Sequence, residues 1–558
     1  MRGVNFRVRV FLALCVAIVA GVLLANVVFT RRHRRNDLFT LPKAGYAMDD
    51  ASAHMEHDEV ILDRIHRTGH RPVHFPQKLV HFDLKGAPLN PAYVEKILPL
   101  LARLGTTGLL IEYEDMFPYD GHLAQIAAHN AYSKQDIRRI LNAARSNNLT
   151  VIPLIQTFGH LEFVLKLQQY KHLREVPHNP QALCPSRNAS LQLVHEMLRQ
   201  VAELHRGYIS HLHIGSDEVF MLGRCNTCLQ RMADLQWSRN ELFLDHVSSV
   251  VHFVQKMGLQ VILWDDMFRQ VDEEILKRSP LAKLVEVMVW SYGKGVPLSG
   301  VFSKYASAGF TGIWAASAFK GASSPSAQMP NYRQHLLNHY SWTQLLQHFT
   351  NKINLKGIAI TGWQRYDHFG SLCELFPVAV PVLALCLGYI QTGCVNNQVL
   401  KDIRTVLGCN RVLPVFYETT SPDRGDFYFS SSVTCQYPGN EILTYVSRWS
   451  ELQSQKQQIM ASNYYQGWMS EMNRRRRFTS PEHLIQGFPD LSARVAECVM
   501  LRQQLKSDLA QVTDASTANE WIETFLDPLQ KWFEQLQLDV QEMLAKDEWP
   551  RRPLYDKV

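Results

Sequence analysis

"HLHIGSDE", residues 211–218, is a short apolar run that closes on a glycine, a serine and two adjacent carboxylates. Seven other stretches follow the same grammar. They are "LVHFDLKG" (79–86), "GLLIEYED" (108–115), "LTVIPLIQTFGH" (149–160), "LQVILWDDMF" (259–268), "LVEVMVWSYG" (284–293), "GIWAASAFKG" (312–321) and "GIAITGWQRYDH" (357–368). Each is nearly continuously apolar, is bounded by glycine or polar residues, and is separated from the next by a helix-like stretch. Strands of this kind imply a parallel sheet covered by helices. Eight of them predict an α/β fold, a (β/α)8 TIM barrel. An open doubly wound sheet is the alternative. It normally carries a glycine-rich phosphate turn after its first strand, and here that strand is followed by "KGAPLN" (85–90).

The polar residues fall at one place in every unit. Asp83 and Lys85, Glu112, Glu114 and Asp115, Gln156 and His160, Asp217 and Glu218, Asp265 and Asp266, Tyr292, Lys320, and Arg365 and Asp367 all sit at the C-terminal ends of their runs. That is the face on which barrel enzymes build their sites. Any one of these groups could be a surface residue or a satisfied buried one. The same placement in eight consecutive units points to a site.

Asp217 and Glu218 are neighbours, so they do not easily flank a bond from opposite sides as the usual glycosidase pair does. Adjacency implies two different tasks. One carboxyl donates a proton to a leaving group, and the other stays ionised and stabilises something close by. Different surroundings pull the two pKa values apart and allow this. Trp264, Trp290, Trp314 and Trp363 lie within or at the end of predicted strands, and Tyr292 joins them. A single tryptophan is more often core than site. Four near one rim, with the acids, favour a carbohydrate pocket.

"HIGSDE" (213–218) resembles the His-x-Gly-x-Asp-Glu signature of glycoside hydrolase family 20, the β-N-acetylhexosaminidases. "VIPLIQTFGH", "VILWDDM", "VWSYG" and "TGWQRYDH" resemble the later strands of that family. "HFDLKGAP", "LLIEYEDMFPY", "WAASAFKGA" and "HLREV" are close to its hexosaminidase D branch. The resemblance covers roughly residues 78–400. It implies an exo-acting, retaining, substrate-assisted reaction, an exception to the two-carboxylate scheme. In that reading Glu218 is the acid and base, and Asp217 holds the acetamido group. Tyr292 bonds the acetamide oxygen, and His160 tunes Glu218. Trp264, Trp290 and Trp363 wall the sugar, with Trp314 joining them as a substrate-side aromatic. Asp83, Lys85, Arg365 and Asp367 are the remaining expected substrate contacts. The chain departs from the family in carrying Lys85 where arginine is common, Gln156 where an acid is usual, and Trp363-Gln364 in place of Trp-Glu. The choice between gluco- and galacto-configured sugar is therefore open.

Two other functions compete. "HLH" (211–213) with nearby acids could hold a metal, although such a pair usually ends the first strand of a barrel rather than the fourth. A degenerate barrel that binds sugar without cleaving it is the second. Retention of both Asp217 and Glu218 argues against it.

The chain has 558 residues, with a formal net charge of +6. Much of the excess lies in "RRHRR" (31–35) and "RRRR" (474–477), read as solvated or membrane-proximal faces rather than nucleic-acid patches. Val10–Thr30 is uncharged and long enough to span a bilayer. The expected organisation is a basic tail (1–9), a transmembrane signal anchor (10–30), a stem (31–76), the catalytic barrel (77–400) and a mainly helical region (401–558). A single-pass type II protein with a lumenal barrel in the secretory pathway, plausibly the Golgi, is expected. A cytosol-facing or nucleocytoplasmic protein is the alternative. The sequons at Asn148 and Asn188 matter only in the lumen. Of ten cysteines, Cys225 and Cys228 form a lone "CNTC", read as a local disulfide or two free thiols because a zinc site usually needs four ligands. Expected partners are a glycoconjugate or oligosaccharide with a terminal N-acetylhexosamine, the membrane through the anchor, and a second copy in a homodimer. No cofactor, no metal and no nucleic acid is expected.

Overall fold

The computed structural model describes residues 51–67, 71–411, 434–552 and 554, with side chains from residue 58 onward. Two compact units meet in sequence at Val60 and Ile61. The first is represented by the opening turns of the helix Ala51–Arg67. The second holds everything that follows.

Ten strands run along the chain. They are β1 (Gln77–Asp83), β2 (Gly108–Glu112), β3 (Thr150–Leu154), β4 (Arg174–Val176), β5 (Asn179–Leu183), β6 (His211–His213), β7 (Gln260–Trp264), β8 (Val285–Trp290), β9 (Gly312–Lys320) and β10 (Leu355–Gly362). Eight of them close into a barrel in the order β1-β10-β9-β8-β7-β6-β3-β2, and all its pairings are parallel. The eight apolar runs supply the eight barrel strands. Strands and helices alternate because each strand is buried on both sides. One side faces an interior core of Leu79, Leu110, Ile152, Ile262, Met288 and Ala359. The other faces the helices. Those helices start where their sequence says they should. Pro91 opens Pro91–Arg103, and capping boxes at Ser133/Asp136 and Ser238/Glu241 open Lys134–Ser146 and Arg239–Lys256.

Most of the strands are shorter than the runs, since the polar tails of the runs are loops. The barrel is thinnest at β6, which has three residues and pairs with β3 only through Leu154 and His213. It ends early because Gly215, Ser216 and Glu218 all take left-handed backbone angles (φ 63°, 70° and 50°). The antiparallel pair β4–β5 has no barrel role and gives no apolar run, since its strands carry Asn179, Pro180 and Gln181.

The helical region is more than a cover. Asn90, after β1, donates through its backbone to the Val512 carbonyl and through its side chain to Ala510 and Thr513. Trp521 donates to Gln328 in the loop after β9. The tail therefore braces the loops at the C-terminal face. The helix Phe376–Thr392 is apolar on every side. It is buried between the helices Tyr332–Gln347 and Asn440–Ala461, as an all-round apolar helix in a large protein should be.

One expectation is corrected. Among the described residues no helix is long and apolar enough to cross a membrane, and the single-pass, lumenal assignment is withdrawn. The span from which it was read, Val10–Thr30, lies outside the described residues. Within the stretch read as a stem, residues 51–67 are helical, and Leu62 and Ile65 are buried. Cys225 and Cys228 are free thiols, whereas a disulfide joins Cys409 and Cys435.

Candidate active site

The site is built on the turn that ends β6. A Cβ at Gly215 would run into the Gln156 amide, and one at Gly159 would run into the Asp217 carbonyl, so only glycine fits at either position. The loop after β3 and the loop after β6 thus touch backbone to backbone. Thr157 donates to the Ile214 carbonyl (2.7 Å), and Ser216 N–H donates to Gln156 (3.3 Å). Asp266 accepts the Glu218 N–H at 2.9 Å, while Gln181 of β5 donates to the Glu218 carbonyl at 2.9 Å. Glu114, His160, Ser216 and Glu218 are non-glycine residues with φ between 46° and 70°. Such conformations persist only where neighbours impose them, and they gather at functional sites.

His160 stands between the two carboxylates. Its Nε2 is 3.2 Å from Glu218 and 3.6 Å from Asp217, and Nδ1 faces Glu162 at 4.0 Å. Burial alone would lower the His160 pKa. The charges of Asp217, Glu218 and Glu162 outweigh it and push the imidazole up to about 10. Burial raises the Asp217 carboxyl to about 6 against the pull of His160. Burial, with the Asp217 charge beside it, raises Asp266 to about 8. The Asp217 side chain is 10% exposed and that of Glu218 37%. One acid is thus sheltered and the other faces the opening. Asp217 Oδ1 is buried and has no hydrogen bond within the protein.

The aromatic side chains cluster, with one exclusion. Trp290 ends β8 and Trp363 follows β10, both half-buried, whereas Trp264 ends β7 and is fully buried among the interior core residues. Trp363 lies 6.0 Å from Trp264 and 6.3 Å from Tyr292, and Tyr292 stacks on Trp290 at 5.4 Å. Desolvation lifts the Tyr292 phenol well above its ordinary pKa, so it remains a donor. Trp314 is elsewhere. It lies near the start of β9, beside Met288 in register, and donates to Glu286 at 2.7 Å, deep toward the N-terminal end of the barrel. It belongs to the core.

The four expected sugar contacts are otherwise engaged. Lys85 lies among Asp83 (3.1 Å), Glu112 (3.3 Å) and Glu114 (3.8 Å), with its ammonium 4.7 Å from the Trp363 ring centre. Asp83 also accepts the Gln364 N–H. Arg365 makes a fork with both Glu520 oxygens (2.5 and 2.6 Å) and donates to the Lys85 and Gly370 carbonyls. Asp367 is exposed and accepts the Phe369 N–H in its own turn. Arg365 thus ties the rim to the helical tail. Arg365→Ala is expected to lower unfolding stability by about 2 kcal/mol, the scale of a charge-assisted hydrogen bond. The substrate KM should change little. A denaturant titration and a substrate titration on the same variant separate bracing from sugar binding. A large rise in KM with unchanged stability would reverse the assignment.

Several participants were not singled out from the sequence. His81 lies edge-on to Trp363 (4.8 Å) and 3.3 Å from Glu112. Gln181 holds the turn that carries Asp217 and Glu218. His368 bonds Glu114 at 2.7 Å and lies near Asp115, and this trio has ligand atoms close enough for a metal. However, the Lys166 ammonium reaches both Asp115 (3.3 Å) and His368 (2.5 Å), so a side-chain cation already serves this cluster. His211 and His213, the metal pair considered above, belong to no group of three or more converging ligand atoms among the described residues.

Comparison with known proteins shows the family. The family described as glycosyl hydrolase family 20, catalytic domain, matches residues 95–366. Hexosaminidase D of Homo sapiens is 38% identical over 486 residues, covering 86% of this chain and 97% of the relative. Hexosaminidase D of Bos taurus is 44% identical over 336 residues, covering 59% and 96%. A solved family 20 exo-β-N-acetylglucosaminidase from Vibrio harveyi, in complex with N-acetylglucosamine, aligns with a TM-score of 0.45 at 15% identity, over 60% of this chain and 58% of that one. The chain belongs to glycosyl hydrolase family 20 and is a hexosaminidase D-like glycoside hydrolase.

Proposed function

We propose that this protein is an exo-acting, retaining β-N-acetylhexosaminidase that uses the acetamido group of its own substrate as nucleophile. The observation that carries the reading is the pairing of a sheltered Asp217 with an open Glu218 across His160, beside three tryptophans and Tyr292. Glu218 protonates the leaving oxygen, then takes a proton from the attacking water. Asp217 presents Oδ1 to the acetamido N–H and stabilises the positive charge as the ring of the oxazolinium-type intermediate closes. The Tyr292 hydroxyl donates to the acetamide oxygen and aims it at the anomeric carbon. The His160 imidazolium offsets the two carboxylates and returns charge balance when Glu218 is ionised. The tryptophan faces exclude water from the sugar.

The direct test is hydrolysis of paired aryl β-N-acetylglucosaminide and β-N-acetylgalactosaminide by the full chain, beside the aryl β-glucoside. Cleavage of either N-acetyl substrate, with the plain glucoside untouched, is expected. The ratio of the two reads the sugar preference. Hydrolysis of neither, or equal hydrolysis of the glucoside, would overturn the proposal.

A further inference from the structure

A second cluster lies just beyond the catalytic turn and takes no part in the chemistry above. Cys184 Sγ is 3.3 Å from Cys225 Sγ and 3.5 Å from Cys228 Sγ, and Cys228 Sγ is 3.2 Å from Glu175 Oε2. The four ligand atoms all lie within 4.8 Å of one another. Glu175, Cys184 and Cys228 are buried and Cys225 is half-buried. A tetrahedral ion with sulfur at about 2.3 Å has ligand atoms about 3.8 Å apart along each edge, so the observed spacings leave only a small expansion to make.

The surroundings look like a ligand shell rather than a chance meeting of thiols. Glu175 Oε1 is held by the backbone N–H groups of Arg224 (2.6 Å) and Cys225 (3.0 Å), which leaves Oε2 aimed at the sulfurs. Cys225 Sγ accepts the Cys228 N–H (3.3 Å) at the start of the helix Asn226–Leu235, where partial positive charge favours a thiolate. The Ser186 hydroxyl lies 3.1 Å from Cys228 Sγ. Such outer contacts orient ligands and set their basicity. Thiols are weak hydrogen-bond donors, so three of them with a buried carboxylate gain little from one another unless a cation joins them. An open surface depression lined by Ser186, Asn226 and Thr227 adjoins the cluster at Ser186.

The geometry points to a structural Zn²⁺ site formed by Cys184, Cys225, Cys228 and Glu175. Three thiolates select a soft or borderline ion, and four ligands with no open position mark a structural rather than a catalytic site. Binding releases the thiol protons and forms three Zn–S bonds and one Zn–O bond without change of oxidation state. Its consequence lies in where the ligands come from. Glu175 is the middle residue of β4 and Cys184 directly follows β5, while Cys225 follows Glu218 by seven residues in the loop after β6. Gln181 of the same hairpin holds the Glu218 carbonyl. The ion clamps the far end of the catalytic loop to that hairpin, and the four ligands position Glu218 without touching substrate.

The test uses the full chain purified without chelator or added metal. Elemental analysis should find about one zinc per chain, the number one closed site holds. Exchange into Co²⁺ should give the visible bands of tetrahedral cobalt and a near-ultraviolet sulfur-to-cobalt band. Cys184→Ser and Cys228→Ser should lose both signals, whereas Cys498→Ser, a buried thiol outside the cluster, should keep them. Chelation should lower Tm even in a Glu218→Gln background, so the site is read independently of the proposed activity. Metal-free wild type that takes up no cobalt would overturn the proposal. So would a disulfide among the three cysteines in freshly isolated protein, or undiminished zinc in a Cys184→Ser/Cys228→Ser double variant. Because the wild-type cobalt spectrum decides on its own, a variant that fails to fold does not rescue the proposal.

Discussion

Glu218→Gln is expected to cut kcat on substrates with poor leaving groups by roughly a hundred- to ten-thousand-fold, the range a general acid supplies. Loss on activated aryl glycosides should be much smaller. The amide is close in size to the carboxyl, and the backbone contacts persist, since the residue 218 carbonyl accepts from Gln181 and its N–H donates to Asp266. What disappears is the proton. An alkoxide leaving group needs that proton in the transition state, and a nitrophenolate does not. A plot of kcat/KM against leaving-group pKa should therefore be steeper for the variant than for wild type. Parallel lines would remove Glu218 from the role of acid.

Asp217→Asn should lower kcat by roughly a hundred- to a thousand-fold, the scale seen when one electrostatic stabiliser of a transition state is removed. KM should change far less, because charge on the acetamido group develops only as the bond breaks. The same change should stabilise the fold. Burial raises the Asp217 carboxyl to about 6, so the folded chain holds its proton at pH values where the unfolded chain has released it. The cost of ionising it in the fold is absent below about pH 4, grows between 4 and 6, and is complete above 6. Asparagine removes the cost, on the order of 2 kcal/mol. The variant should melt higher than wild type at pH 7.5 and at the same temperature near pH 4. Wild type should lose kcat/KM below about pH 6 as Asp217 protonates, and the variant should lack that limb. A variant less stable than wild type at pH 7.5 would contradict the account of Asp217 as a carboxylate held at a cost for catalysis.

The barrel was legible because its eight strands are buried on both sides and so read as short, nearly continuous apolar runs. The face bearing the site was legible for a related reason: carboxylates such as Asp217 and Asp266 cannot sit at the end of a buried strand without a purpose. The partner of each polar side chain could not be read. Arg365 looks free beside Trp363, yet its fork to Glu520 joins residues 155 apart in sequence. Trp314 follows the same pattern as Trp264, but it lies near the start of its strand rather than at the end, and Glu286 takes its N–H. The cysteine cluster was half visible. "CNTC" alone reads as a local disulfide or two free thiols, because its partners Cys184 and Glu175 lie 41 and 50 residues before Cys225 and reach it only through the short polar β4–β5 hairpin. The departure at Lys85 also becomes intelligible. Its ammonium is enclosed by Asp83, Glu112 and Glu114, so it sets the charge balance of the floor of the site rather than reaching for a sugar hydroxyl.

The central claim is that the substrate's acetamido oxygen is the nucleophile and Asp217 its helper. It is tested most directly with aryl β-N-acylglucosaminides whose acyl methyl carries zero, one, two or three fluorines. Each fluorine weakens the carbonyl oxygen as a nucleophile while leaving the aryl leaving group unchanged. A steep, monotonic fall in kcat/KM with fluorine number for wild type is predicted. A flat series would place the nucleophile on the protein or on water and would contradict the account.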